Sequence, residues 1–330
     1  MIDFKFPPCG IRAKAIDQKM RCSLAESLDD IATQISGQID FDVRAMSHLI
    51  ERLNQGDKFP PSTFAIYTEL VLALDSGDID SATQLLKELV QECAQNQNWQ
   101  LLALDDSKLT AHVARYINLM DADPRARFGI FSPTPEKASI FRKRFKCSYD
   151  LLSAAIPELA AEFDALVSQI IMVAGDDAPT AEYRFDGGSS YMLWGGLFLN
   201  ASSHENEVAL IEVMAHESAH ILLFGFASDE ALVNNNDDEL YQSPLRVDLR
   251  PMDGIYHATY VSARMHWAMS KLLASGVLND SDCLYAESAI LRNQKNFEAG
   301  YSVVKQYSDL TPTGLSVMKA AREYMETQAV

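Results

Sequence analysis

A chain of 330 residues is long enough to bury a sizeable core, and two subdomains are expected. With 48% hydrophobic and 22% charged residues, its composition is ordinary for a globular protein. A net charge of −18 leaves no cationic footprint for nucleic acid and disfavours docking on anionic membranes, although it suits a neutral or basic peptide.

Cys9, Cys22, Cys93, Cys147 and Cys283 are odd in number and lack CxxC spacing, which points to reduced thiols and a cytoplasmic protein. The first residues, Met1 to Pro8, show no apolar stretch of the kind that directs secretion, and no run approaches the ~18 apolar residues of a membrane span.

Helical periodicity governs the first half. Apolar residues recur at Leu24, Leu28, Ile31 and Ile35, then at Val43, Met46, Leu49, Ile50 and Leu53, within a span from about Ala13 to Gly56. Helices are expected over Thr63 to Asp75 and Asp80 to Cys93, separated by Ser76-Gly77-Asp78. One such hairpin is not a repeat array. Trp99 to Met120 and Ser148 to Val173 also read as helical, the latter interrupted at Pro157. Arg125, Arg127, Arg142, Lys143, Arg144 and Lys146 form the one basic island, read either as a seat for an acidic peptide or as a solvated face.

Near Gly175 the composition changes. Residues 1–175 are assigned to a helical N-terminal domain, a scaffold or peptide-recognition unit, and 176–330 to a metal-binding domain. Glu182 to Phe185 and Ser190 to Leu199 are candidate strands, and the paired glycines Gly195-Gly196 permit a bulge or a close backbone approach. A helix from about His204 to Phe224 follows, with Ser202 and Glu205 as a capping box and Gly225 as its C-cap. Further helices are expected from Met252 to about Leu273 and, in two pieces, from Asp280 to Val330. The fold class is mainly α with a small sheet, and not a double-stranded β-helix.

His216, Glu217 and His220 form an HExxH pattern on the most apolar of these helices. Residues four apart share a helix face, so two imidazoles can reach one metal ion with a carboxylate beside them. Two histidines and a glutamate in a buried helix are costly without a partner. A third ligand at HExxHxxGxxH spacing would fall on Phe226, which excludes that pattern. The next helix offers Asp253, His257 and His266. The two histidines there are nine residues apart, about half a turn out of phase, and cannot share a metal. His257 lies beside the arginine-bearing loop and is taken as the ligand, with His266 as a packing residue. His204, His48 and His112 are read as bystanders. Arg246, Arg250 and Arg264 surround the proposed ligand, and guanidinium groups clamp carboxylates bidentately.

His216-Glu217-Ser218-Ala219-His220, taken with Ser243-Pro244-Leu245-Arg246-Val247-Asp248-Leu249-Arg250-Pro251 and Gly254-Ile255-Tyr256-His257, resembles the αKG-HExxH-type peptide β-hydroxylases. These bacterial enzymes are found beside ribosomally made, modified peptides. The resemblance covers about Leu199 to Met269. It implies Fe(II), 2-oxoglutarate and O2, a precursor peptide as substrate, and a mostly helical fold. On that reading His216, His220 and His257 hold iron, Arg246, Arg250 or Arg264 holds the far carboxylate of 2-oxoglutarate, and Glu217 orients water or a ligand. Two alternatives stand beside it. One is a zinc peptidase with Glu217 as general base, and the other a non-catalytic peptide-binding module with a structural metal.

Overall fold

In the computed structural model, residues 3–95, 99–121, 129–175, 185–204, 206–244 and 248–328 are described. In chain order the helices are α1 (Gly10–Gln34), α2 (Val43–Asn54), α3 (Pro61–Asp75), α4 (Ile79–Leu89), α5 (Val113–Met120), α6 (Pro135–Ala155), α7 (Pro157–Leu166), α8 (Glu207–Phe226), α9 (Met252–Ala274), α10 (Asp280–Tyr307) and α11 (Pro312–Gln328). The strands are β1 (Gln100–Ala103), β2 (Gln169–Val173), β3 (Gly187–Ser189), β4 (Gly196–Asn200), β5 (Leu240–Gln242) and β6 (Leu249–Pro251). The mainly α class expected from the sequence is correct.

These elements form two compact units, and they are not consecutive halves of the chain. Unit 1 takes Met1–Ile16, Arg142–Phe163 and His204–Val330, and unit 2 takes Asp17–Phe141 and Asp164–Ser203. A boundary at residue 175 therefore falls inside unit 2. Sequence order hid this because the chain leaves unit 1 after its first residues, and local composition carries no record of such a return.

Unit 2 is built on a four-stranded sheet of order β1-β2-β4-β3, with β1, β2 and β4 parallel and β3 antiparallel to β4. Here two helix assignments fail. Trp99 to Met120 begins as β1 and becomes α5 only at Val113, while Ser148 to Val173 ends in β2. Gln169–Val173 is buried along its whole length, and a strand covered on both faces reads as one apolar run with no alternation to betray it. The Ser190 to Leu199 strand is also shorter than expected. Tyr191–Leu193 is a 3-10 turn, and β4 starts at Gly196. Gly195 adopts φ +80°, and a side chain there would strike Ser168. Glu182 to Arg184 of the other candidate strand lie outside the described residues.

Unit 1 is helical, with the small antiparallel hairpin β5–β6 leading straight into α9. α8 is buried on nearly every side. Beyond its first residue, Glu207, only the stripe Ala209, Val213, His216, His220 and Phe224 is half-buried, spaced four, three, four and four apart. The one open face of this core helix thus carries both HExxH histidines. α8 is also the one helix among the described residues long and apolar enough to cross a membrane, yet most of it is buried against its neighbours. Asn206 caps it by accepting from the Ala209 amide at 2.8 Å. The expected cap from Ser202 is thereby displaced, and Glu205 lies outside the described residues. The helix also passes through Gly225 to Phe226, so that glycine is not the C-cap. α9 packs along α10, where Gly300 leaves room for Thr259, and along α8.

Candidate metal and cosubstrate site

α8 and α9 bring His216, His220 and His257 together, as the sequence reading required. His216 Nε2 and His220 Nε2 are 3.1 Å apart, and His220 Nδ1 lies 3.1 Å from His257 Nδ1. The His220 and His257 rings stack at 17°. Phe224 lies against both rings, and Asp253 Oδ1 lies 3.8 Å from His257 Nε2.

Burial pushes all three imidazoles below the ordinary histidine value. Glu212 opposes this at His216, the neighbouring histidines reinforce it at His220, and Asp253 opposes it at His257. The rings are therefore neutral at pH 7, which is the state that donates to a metal. Three neutral rings also satisfy one another, because each of the two contacts needs one shared proton and either direction of donation supplies it.

The donor set fits a divalent transition metal by chemistry, and each neighbouring pair of rings fits by spacing. Nitrogen donors ~2.1 Å from an ion lie roughly 3 Å apart, close to the 3.1 Å found here. As the side chains stand, though, the three do not converge. His220 offers Nε2 to one neighbour and Nδ1 to the other, and among the described residues no three donors meet at one point. To bind one ion, His220 must commit a single nitrogen and one ring must turn.

Beside the rings is a cavity of about 350 Å³ lined by His216, His220, Ser243, Arg250, Ala258 and Asn296 among others. The hairpin puts Arg250 there by pairing it with Tyr241, and Asp248 holds its Nε at 2.6 Å. Glu217 is buried, with Oε1 3.7 Å from His216 Nε2.

No family model matches this chain, and no curated protein matches it.

Not every expected residue joins the site. Arg264 is 1% exposed and donates to the Phe6 carbonyl at 2.7 Å and to Glu162 Oε1, a carboxylate that also pairs with Arg12. It neutralises a buried acid within unit 1, so its assignment to 2-oxoglutarate is corrected. Arg246 lies outside the described residues, as do Arg125 and Arg127 of the basic island. Of that island, Arg142, Lys143 and Lys146 are exposed, and Arg144 donates to the His204 carbonyl at 2.8 Å. His266 packs inside unit 1 with Nδ1 2.8 Å from the Tyr324 hydroxyl, as expected of a non-ligand.

Sequence reasoning missed what braces the site. Glu212, one turn before His216, accepts from the Tyr285 hydroxyl at 2.8 Å, from Arg292 at 2.7 Å and from the Asn293 amide at 2.7 Å. These bonds pin α8 to α10, and Asn296, one turn beyond Arg292, lines the cavity. The visible clue was an acid four residues before a histidine on an apolar helix. Its partners, some 70 to 80 residues away, were not legible.

Proposed function

We propose that the chain is an iron(II)- and 2-oxoglutarate-dependent oxygenase that hydroxylates a side-chain β-carbon in a ribosomally made precursor peptide. The observation that carries this reading is the meeting of three neutral imidazoles beside a cavity with a guanidinium in its wall. The motif resemblance noted above supports the peptide and the cosubstrate. His216, His220 and His257 would hold the iron. Bound there with 2-oxoglutarate and O2, the ion supplies the oxidising power for hydroxylating a C–H bond.

The rest of the site is assigned from the chain's own groups. Arg250, its Nε held by Asp248, is oriented to take the far carboxylate of 2-oxoglutarate through its remaining N–H groups. A cavity of about 350 Å³ is within the usual size of small-ligand sites. Ala258, Val261 and Met265 give it an apolar wall that limits water. Asn296 offers an amide for orienting the cosubstrate. Glu217 Oε1, beside His216 Nε2, is placed to accept a hydrogen bond from a bound water or ligand and so to orient it. All five cysteines are free, in keeping with action in the reducing cytoplasm where such peptides are made.

That position of Glu217 also favours a second reading. A buried carboxylate next to a metal-ligand nitrogen suits the general base of a zinc peptidase. The two readings separate in one experiment. Under anaerobic conditions Fe(II) and then 2-oxoglutarate are titrated into the protein, and the weak visible charge-transfer band of a chelated 2-oxo acid is followed. Oxygenase function predicts a saturable band that weakens in Arg250→Ala. No band, with tightly retained zinc and peptide cleavage abolished by Glu217→Gln, would select the peptidase.

A further inference from the structure

A second cavity, of about 430 Å³, lies wholly within unit 2. Gln100 and Gln169, the first residues of β1 and β2, line it together with Glu92, Gln95, Lys108 and His112. It is separate from the histidine cavity of unit 1, and its properties do not depend on the function proposed above.

The Glu92 side chain is only 9% exposed. Its Oε2 accepts from Ser62 Oγ at 2.5 Å and Thr63 Oγ1 at 3.0 Å, and its Oε1 is 3.4 Å from His112 Nε2. None of these partners is a cation. His112 Nδ1 lies 2.9 Å from an Arg115 nitrogen, and because a guanidinium only donates, Nδ1 must be the acceptor. The one ring proton is then on Nε2, facing Glu92, and the imidazole is neutral. Arg115 in turn is bonded to Glu69 at 2.7 Å and Glu88 at 2.9 Å. Among the described residues, no lysine or arginine reaches Glu92 within ion-pair distance. On the same cavity, Gln95 Oε1 is buried without a hydrogen-bond partner.

A buried carboxylate met only by neutral donors keeps an uncompensated charge, and an orphaned amide oxygen lacks a donor; both are costly. Both are acceptors, and a positively charged donor with several N–H groups answers them together. The cavity also holds groups of opposite character. Lys108 brings an ammonium, and Gln169, whose Oε1 is taken by the Tyr116 hydroxyl at 2.8 Å, keeps its amide N–H groups to donate. Pro60 and Leu109 add apolar surface. We infer that this cavity binds a free aliphatic amino acid, with its ammonium group on Glu92 and Gln95 and its carboxylate toward Lys108 and Gln169.

The test is calorimetric titration of the full chain with L-leucine, L-leucinamide and 4-methylpentanoate, which carry both charged groups, the ammonium alone and the carboxylate alone. L-Leucine should bind, leucinamide more weakly, and 4-methylpentanoate not at all. Glu92→Gln should weaken L-leucine at least tenfold. Gln95→Met, which keeps the volume and disturbs no other bond, should weaken it severalfold and covers the case of a poorly folded Glu92 variant. Lys108→Ala should bring L-leucine down to the level of leucinamide. Absence of binding by L-leucine, or equal binding by 4-methylpentanoate, would overturn the proposal. Leucinamide binding as tightly as L-leucine and unaffected by Lys108→Ala would also overturn it, pointing to a peptide amino terminus. Calcium chloride that binds and displaces L-leucine in a Glu92-dependent way would reassign the carboxylate to a metal ion and overturn it too.

Discussion

Two of the buried polar clusters of unit 1 are completed differently. Around Glu162 the carboxylate oxygens are committed to other parts of the chain: the Cys9 amide, Arg12 and Arg264, the last also reaching the Phe6 carbonyl. At the α8–α9 site the imidazoles meet one another and open onto a cavity. The first arrangement admits no ligand without breaking bonds to the rest of the chain, whereas in the second only contacts between neutral rings face the cavity. Buried polarity by itself does not mark a site. Polarity whose partners are exchangeable does.

The largest way to break this contrast is Glu162→Ala. It strands two guanidinium groups, both under a tenth exposed, and is expected to cost about 3–5 kcal/mol in urea unfolding. Added metal should not restore it. A loss below ~1 kcal/mol would show that Glu162 is not the counter-charge this structure makes it.

At the other centre, His257→Ala is expected to cost little in unfolding of the metal-free protein. It should instead abolish the stabilisation given by Fe(II) or Zn(II), which for the parent chain is about 2.7 kcal/mol at a hundredfold excess over Kd. Metal analysis of the purified variant provides the check, and full occupancy would remove His257 from the ligand set.

Glu212→Gln tests the brace that ties α8 to α10. It retains the shape but loses the charge that Arg292, Tyr285 and Asn293 converge on. Because Arg292 is about half exposed, solvent screens part of the loss, and about 1–2 kcal/mol is expected by denaturant titration.

Acid should also act on the histidine site. His216, His220 and His257 have native values below the unfolded one, so the unfolded chain binds more protons as pH falls through that gap. Stability is then full above the ordinary histidine value of 6.5 and declines below it, toward about 4 for His216. Unfolding measured between pH 7 and pH 4 should show a shallower slope for His216→Gln than for the parent chain.

The smallest effect on the fold is expected from Arg250→Ala, within about 0.5 kcal/mol, because its ion pair with Asp248 lies at the margin of a two-stranded hairpin. The same variant should lose 2-oxoglutarate binding. Arginines that the sequence offered as equals thus separate by readout, Arg250 by ligand binding and Arg264 by stability.

The sequence alone determined the C-terminal helices of unit 1 to within a few residues, although α6, which begins at Pro135, was read only from Ser148. Met252 to Leu273 was expected and Met252–Ala274 is found, while the break expected at Leu310 to Gly314 lies slightly earlier, α10 ending at Tyr307 and α11 starting at Pro312. Periodicity and capping are local, so a linear text records them. It also separated His257 from His266, because nine residues put them on opposite faces of one helix without any fold, and His257 is the one found beside His220. The tertiary structure decided which acid meets which base. Glu162 and Arg264 are 102 positions apart, and Glu212 and Asn293 are 81 apart. It decided as well that Gln169–Val173 is a strand between two others, because a run buried on both faces carries no period. Local patterns fix what a segment can be, while charge pairing and sheet order are contacts between distant segments, set only when the chain closes on itself.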